Sequence, residues 1–187
     1  MTMNAIRLVF SGSGGQGVIT AAIILAEAAV IYSGKNATQT QSYGAAARGG
    51  VTRTDIIISD DKINYPGVIQ PNVLMTLTQE AYNSTTGIVR PGGLVLTDPR
   101  FVETTRKVDA KQLELPMYEQ VMDNIGKPIV YNICCLGALV GVTQLLEPET
   151  ILDVLDERIP KDFLEMNHRA FDLGLVLGSQ YQYRSFT

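Results

Sequence analysis

Six residues near the N-terminus, Gly12-Ser13-Gly14-Gly15-Gln16-Gly17, carry the spacing in this chain best suited to chemistry. Gly12, Gly14 and Gly17 fit the pattern G-x-G-x-x-G, in which backbone approaches a diphosphate closely at the positive end of a helix dipole. A helix starting here leaves its first N–H groups without intrahelical partners, so an anion or an adjoining chain can use them. The same glycines would also serve if they only packed a helix against a strand. They do not make a P-loop, which needs Lys and Ser/Thr directly after the last glycine, where Val18 and Ile19 stand. An ordinary NAD site needs an acid about 20 residues further on to hold the ribose hydroxyls. The residues there are Ala37-Thr38-Gln39-Thr40, none of them acidic.

A second constellation is Tyr43-Gly44-Ala45-Ala46-Ala47-Arg48-Gly49-Gly50, a glycine-rich loop carrying one aromatic ring and one guanidinium. Arg48 is a fork-shaped donor suited to phosphate or carboxylate, on a loop whose glycines allow close approach. The plainer reading is an exposed turn with a solvated arginine. The remaining candidates are weaker. His168, the single histidine, lies on an amphipathic segment with no nucleophile or carboxylate at matching spacing, so it reads as a surface or capping residue. Cys134 and Cys135 are adjacent within an apolar run, which suits two buried thiols rather than metal ligands. Neither a catalytic residue nor a metal site emerges, and the isolated chain is not expected to turn over substrate.

The chain has 187 residues, enough for one continuous core, and a single unit spanning residues 1–187 is expected. A formal net charge of −4 and the lack of any Lys/Arg run longer than two argue against a nucleic-acid module. No segment reaches the roughly 20 apolar residues of a membrane span, and the first apolar run is short and reads as a strand, not a signal peptide. A cytoplasmic protein is expected. Charged residues make up only 18% of the chain, which fits either a well-filled core or a surface covered by another subunit.

Positioning these residues requires alternating strands and helices. Ile6–Ser11 reads as a buried strand, and Val18–Tyr32 as a helix apolar on nearly all sides, with Gly34 a plausible end. Strands are expected at 37–42, 51–59, 73–78 and 94–98, and again at 113–116 and 128–131. Helices are expected at 79–89, 118–125, 132–146, 148–159 and 161–179, with 99–112 irregular. Gly137 and Gly141, four apart, suggest close helix packing. This order predicts an α/β fold of three layers, a mostly parallel Rossmann-like sheet with helices on both faces. Ligands of such sheets sit at the carboxyl ends of the strands, where the glycine turn falls.

Three segments together resemble the gamma subunit of 2-oxoacid:ferredoxin oxidoreductases. They are Ser11–Gly17, the loop Gln41-Ser42-Tyr43-Gly44-x-x-x-Arg48-Gly49-Gly50, and Ile57-Ile58-Ser59…Ile63-x-Tyr65-Pro66. The run from Asn132 to Gly137 is similar too, while Ala45-Ala46 stand where many relatives carry Pro-Glu. The resemblance implies the fold of domain III of the pyruvate:ferredoxin oxidoreductase type. It also implies a multi-subunit enzyme that oxidatively decarboxylates a 2-oxo acid, 2-oxoglutarate foremost with pyruvate behind it, forming an acyl-coenzyme A and reducing ferredoxin. Thiamine diphosphate and [4Fe-4S] clusters would sit on alpha, beta and delta partners. Gly12, Ser13, Gly14, Gly15, Gln16, Gly17, Tyr43 and Arg48 would then flank the coenzyme A entrance or dock the partners. The alternative is a free-standing dinucleotide-binding oxidoreductase, against which the missing acid after the second strand speaks.

Overall fold

A computed structural model describes residues 5–43 and 50–183. Its centre is a six-stranded sheet in the order β2-β3-β1-β4-β5-β6. The strands are β1 (Ile6–Ser13), β2 (Asn36–Tyr43), β3 (Val51–Ser59), β4 (Val73–Thr76), β5 (Gly93–Thr97) and β6 (Ala110–Glu114). β1, β4, β5 and β6 run parallel, while β3 is antiparallel to both β1 and β2.

Alternation within β1 divides the core. Ile6, Leu8 and Phe10 face the larger cluster, and Val9 faces a smaller one with Ile57, Leu74, Tyr82 and Val95. The larger face carries α1 (Val18–Glu27), α3 (Met117–Asn124), α4 (Tyr131–Thr143), α5 (Pro148–Arg158) and α6 (Lys161–Ser179), all of which contribute residues to that cluster. The opposite face carries the short α2 (Gln79–Thr85), whose Tyr82 is fully buried in the smaller cluster. The three layers are therefore unequal.

Helix α4 is buried along its whole length, and α6 locks against it through glycines. A Cβ at Gly137 would lie 2.1 Å from the Phe171 carbonyl oxygen, and one at Gly174 would lie 1.9 Å from that of Cys134. Gly141 and Gly178 repeat the arrangement one turn on. The expected close packing at Gly137 and Gly141 is met, and its partners are Gly174 and Gly178 on a helix whose sequence looks ordinarily amphipathic.

Some elements differ from expectation. The segment 128–131, expected as a strand, is a 3₁₀ turn at Pro128–Val130 leading into α4; proline at a first helical position fits that role. β6 begins at Ala110, inside the stretch expected to be irregular, because pairing to β5 from Gly93↔Ala110 onward organises a half-exposed edge strand. The first helix passes at Ala28 into a π-helical turn, Ala28–Tyr32, which leaves Val30 and Ile31 exposed. None of the helices among the described residues is long and apolar enough to cross a membrane.

Candidate functional site

The glycine turn lies where the sheet connections diverge. From β1 the chain enters α1 on the larger face, towards β2. From the adjacent β4 it enters α2 on the other face, towards β5. A crevice at such a switch point is the usual ligand position in an open α/β sheet. Ser13-Gly14-Gly15-Gln16 forms the turn, with the Gln16 N–H donating to the Ser13 carbonyl at 3.3 Å. Gly15 takes φ 89°, the left-handed value that a type II turn needs at its third position.

Gln16 closes much of the crevice itself. Its Oε1 accepts the Ser13 N–H at 2.8 Å, and its Nε2 donates to the Leu77 carbonyl at 3.1 Å, just beyond β4. The carboxamide thus braces the ends of β1 and β4 across the position a dinucleotide diphosphate would take. Gly12 makes room for it, since a Cβ there would lie 2.5 Å from Gln16 Oε1. Of the residues expected to face a ligand, Gln16 and the Ser13 N–H are committed to the turn's own structure. Gly17, at φ 73°, precedes the first residue of α1, and its carbonyl accepts from Asn132 Nδ2 at 3.2 Å.

A cleft of about 380 Å³ opens beside the turn, bounded by Gly15, Gly17 and Thr20 on one side and by Phe101, Tyr118 and Tyr131 on the other. The three rings meet edge to face, with centroids 5.1, 5.7 and 5.6 Å apart. Behind them Asp98, fully buried at the end of β5, fixes two of the three. Its Oδ2 accepts from the Tyr118 N–H at 2.7 Å and the Tyr131 hydroxyl at 3.1 Å, and its Oδ1 accepts from the Arg100 N–H at 2.9 Å. Burial pushes the Asp98 carboxyl above its ordinary value, with the two N–H donors opposing. Burial also pushes the Cys134 thiol up to about 12, so the thiol is inert core, as expected; Cys135 is likewise buried and free. The aromatic wall and Asp98 were not legible as a site. The available signal was Asp98-Pro99 at the end of an apolar strand, a common turn opening.

Strand register brings the two sequence constellations to one end of the sheet. Gly12 pairs with Thr52 on β3, and Thr52 pairs with Tyr43 on β2. The loop following Tyr43 therefore leaves from the same pole as the glycine turn. Arg48, with Gly44 and Gly49, lies outside the described residues. β3 lies between β2 and β1, and at the pole of the glycine turn neither β2 (Gln41-Ser42-Tyr43) nor β3 (Val51-Thr52-Arg53) carries an acid. Among the described residues, no group of three His, Cys, Asp or Glu is placed to hold a metal.

Residues 7–177 match the family model of the pyruvate ferredoxin/flavodoxin oxidoreductases. The 2-oxoglutarate synthase subunit KorC of Methanocaldococcus jannaschii is 40% identical over 172 residues, which are 91% of this chain and 92% of that one. The gamma subunit of a keto/oxoacid ferredoxin oxidoreductase from Geobacter sulfurreducens superposes with a TM-score of 0.84 at 35% identity, over 94% of this chain and 99% of that one. The 2-oxoglutarate:ferredoxin oxidoreductase of Magnetococcus marinus, solved with 2-oxoglutarate, coenzyme A and succinyl-CoA bound, shares the fold with a TM-score of 0.87 at 22% identity, over 97% of this chain and 32% of that one. The chain belongs to the pyruvate ferredoxin/flavodoxin oxidoreductase family, as a gamma-type subunit of a 2-oxoacid:ferredoxin oxidoreductase.

Proposed function

We propose that this chain is the gamma subunit of a CoA-acylating 2-oxoglutarate:ferredoxin oxidoreductase, a cytoplasmic assembly in which alpha, beta and delta partners carry thiamine diphosphate and the [4Fe-4S] clusters. The likeness to 2-oxoglutarate synthase subunits supports that substrate over pyruvate, whose PorC subunit from Methanothermobacter marburgensis is 29% identical. The role of this chain is to flank the coenzyme A entrance with the turn Gly12–Gly17 and the loop Tyr43–Gly50, the competing role being that both segments dock the partner subunits. The observation that carries this reading is the register Gly12–Thr52–Tyr43, which sends both glycine-rich segments from one pole of the sheet. Backbone N–H groups at Gly15, Gly17 and the start of α1, with the Arg48 guanidinium, would neutralise the diphosphate. Gln16 and the Ser13 N–H would keep the turn rigid for that purpose.

Gly14→Ala and Arg48→Ala in the assembled complex test it. A Cβ at Gly14 meets nothing within 4 Å, so the alanine fills only space in front of the turn. Each variant should raise the KM for coenzyme A by about tenfold with the complex intact. Loss of assembly with Arg48→Ala would favour a loop that docks the partner subunits instead. An unchanged KM in both variants would remove the proposed contact.

A further inference from the structure

A large concavity lies at the other pole, where the parallel strands begin. It encloses about 930 Å³, within the range of small-molecule sites, and the proposed function leaves it without a role. Three cations line it, Arg7 at the start of β1, Lys62 on the segment after β3, and Arg90 before β5. No carboxylate lines it. None of the three cations forms an ion pair among the described residues. Of the carboxylates along β3 and its turn, Asp55 pairs with Arg53 and Asp60 with Lys35, while Asp61, next to Lys62 in sequence, does not line the cavity.

A deep donor accompanies the cations. Asn72 is 4% exposed, and its Oδ1 accepts the Arg7 N–H at 3.0 Å. Its Nδ2 has no acceptor among the described residues, yet the residue lines the cavity. That nitrogen is not among the buried polar atoms left without a partner, so it reaches the cavity space, where a ligand or water oxygen can accept from it. The wall opposite is built rather than loose. Asp55 Oδ2 accepts the Val68 N–H at 3.1 Å while Arg53 donates to the Val68 carbonyl at 2.8 Å, fastening segment 62–70 to β3. That segment holds Tyr65, 68% exposed, and Ile69, 75% exposed, at the rim.

We propose that this cavity binds the phosphate of a nucleoside phosphate. Arg7, Arg90 and Lys62 would neutralise the phosphoryl oxygens, Asn72 Nδ2 would donate to one of them from the floor, and the Tyr65 ring would meet the base. A phosphoryl group supplies several acceptor oxygens and the charge that clustered, unpaired cations require. A carboxylate on a flat partner surface would engage the rim and leave the Asn72 donors unmet. This inference is independent of the coenzyme A reading, because β1 spans eight residues, about 26 Å, between the two poles.

Calorimetric titration of ADP into the purified full chain and into the assembled complex tests it, with inorganic phosphate as competitor. One ADP per chain should bind in both, phosphate should displace it, and Arg90→Gln and Asn72→Asp should each weaken binding at least about tenfold. Asn72→Asp keeps the acceptor for the Arg7 N–H and turns the free donor into a repelling oxygen. Arg90→Gln changes only a rim side chain and guards against a folding defect in the first variant. Displacement of ADP by coenzyme A, lost in the same variants, would identify the nucleotide end of coenzyme A as the ligand; failure to displace it would identify a free nucleotide. No saturable binding, or binding that survives both substitutions, would overturn the proposal. So would ADP held by the isolated chain and excluded from the complex, which would assign the cations to an acidic segment of a partner.

Discussion

Asn132 Nδ2 donates to the Gly17 carbonyl at 3.2 Å, joining the start of α4 to the start of α1 across 115 residues of sequence. The contact explains why Gly17 has no side chain. At φ 73° it is strained for any L-residue, and a Cβ there would lie 2.6 Å from the same Nδ2. Gly17→Ala should cost about 3 kcal/mol, from roughly 1–2 for the left-handed backbone and the rest for the clash. Asn132→Ala should cost about 1 kcal/mol for the lost hydrogen bond. Because both changes act on one contact, the double variant should be less destabilised than the sum of the two. Urea unfolding of the four proteins measures this, and strict additivity would contradict it.

The α4–α6 contact should be the least tolerant place in the fold. Alanine at Gly137 or Gly174 would set a methyl about 2 Å from a carbonyl oxygen of the facing helix, and backbone cannot yield as a side-chain tip can. Each substitution should cost about 3 kcal/mol or more, at the upper end for overpacked cores. Gly87→Ala, with nothing within 4 Å, is the control and should shift the Tm little. Equal shifts in all three would refute the helix-locking account.

Half of that contact was readable in the sequence and half was not. Gly137 and Gly141 stand out because they interrupt a wholly apolar run, where four-residue spacing has a packing meaning. Gly174 and Gly178 end a helix whose earlier turns carry a charged face, so its pattern reads as ordinarily amphipathic and the glycines draw no notice. The β1–turn–α1 unit was legible for a similar reason, as glycine spacing punctuates two apolar runs. Nothing in the spacing could reveal that Gln16 would turn inward, since its partner Leu77 lies 61 residues away and meets it only through parallel pairing of β1 and β4. Likewise 128–131 is a short apolar run, which periodicity cannot distinguish as strand or helix.

Asp98 should give the stability curve an unusual slope. Burial raises its carboxyl above the ordinary 3.8, so the folded chain holds that proton more tightly than the unfolded chain does. Its contribution is therefore fully present below about 3.8 and declines as pH rises through the raised folded value. Asp98→Asn has no such titration. It also presents a donor where either Arg100 or the Tyr118–Tyr131 pair needs an acceptor, at a cost of about 1–3 kcal/mol. The gap between wild type and variant should narrow as pH rises from about 3 to about 7, as followed by chemical unfolding at each pH. A gap that widens over that range would show that the N–H donors outweigh burial.

Gln16 decides whether the switch crevice is open or braced. Gln16→Ala leaves the Ser13 N–H and the Leu77 carbonyl without their partner and should cost about 1–2 kcal/mol. Gln16→Glu keeps an acceptor for Ser13 but turns an oxygen towards the Leu77 carbonyl, so it should destabilise more than alanine despite its closer shape. Were the side chain merely solvated beside a ligand site, the order would reverse, because an exposed carboxylate near the start of α1 is favourable. Opening the crevice should not create a dinucleotide site, since neither β2 nor β3 carries an acid for the ribose at that pole. NADH fluorescence titration of Gln16→Ala should therefore show no saturable binding. Stoichiometric binding would mean that the brace, and not the missing acid, is what keeps a dinucleotide out.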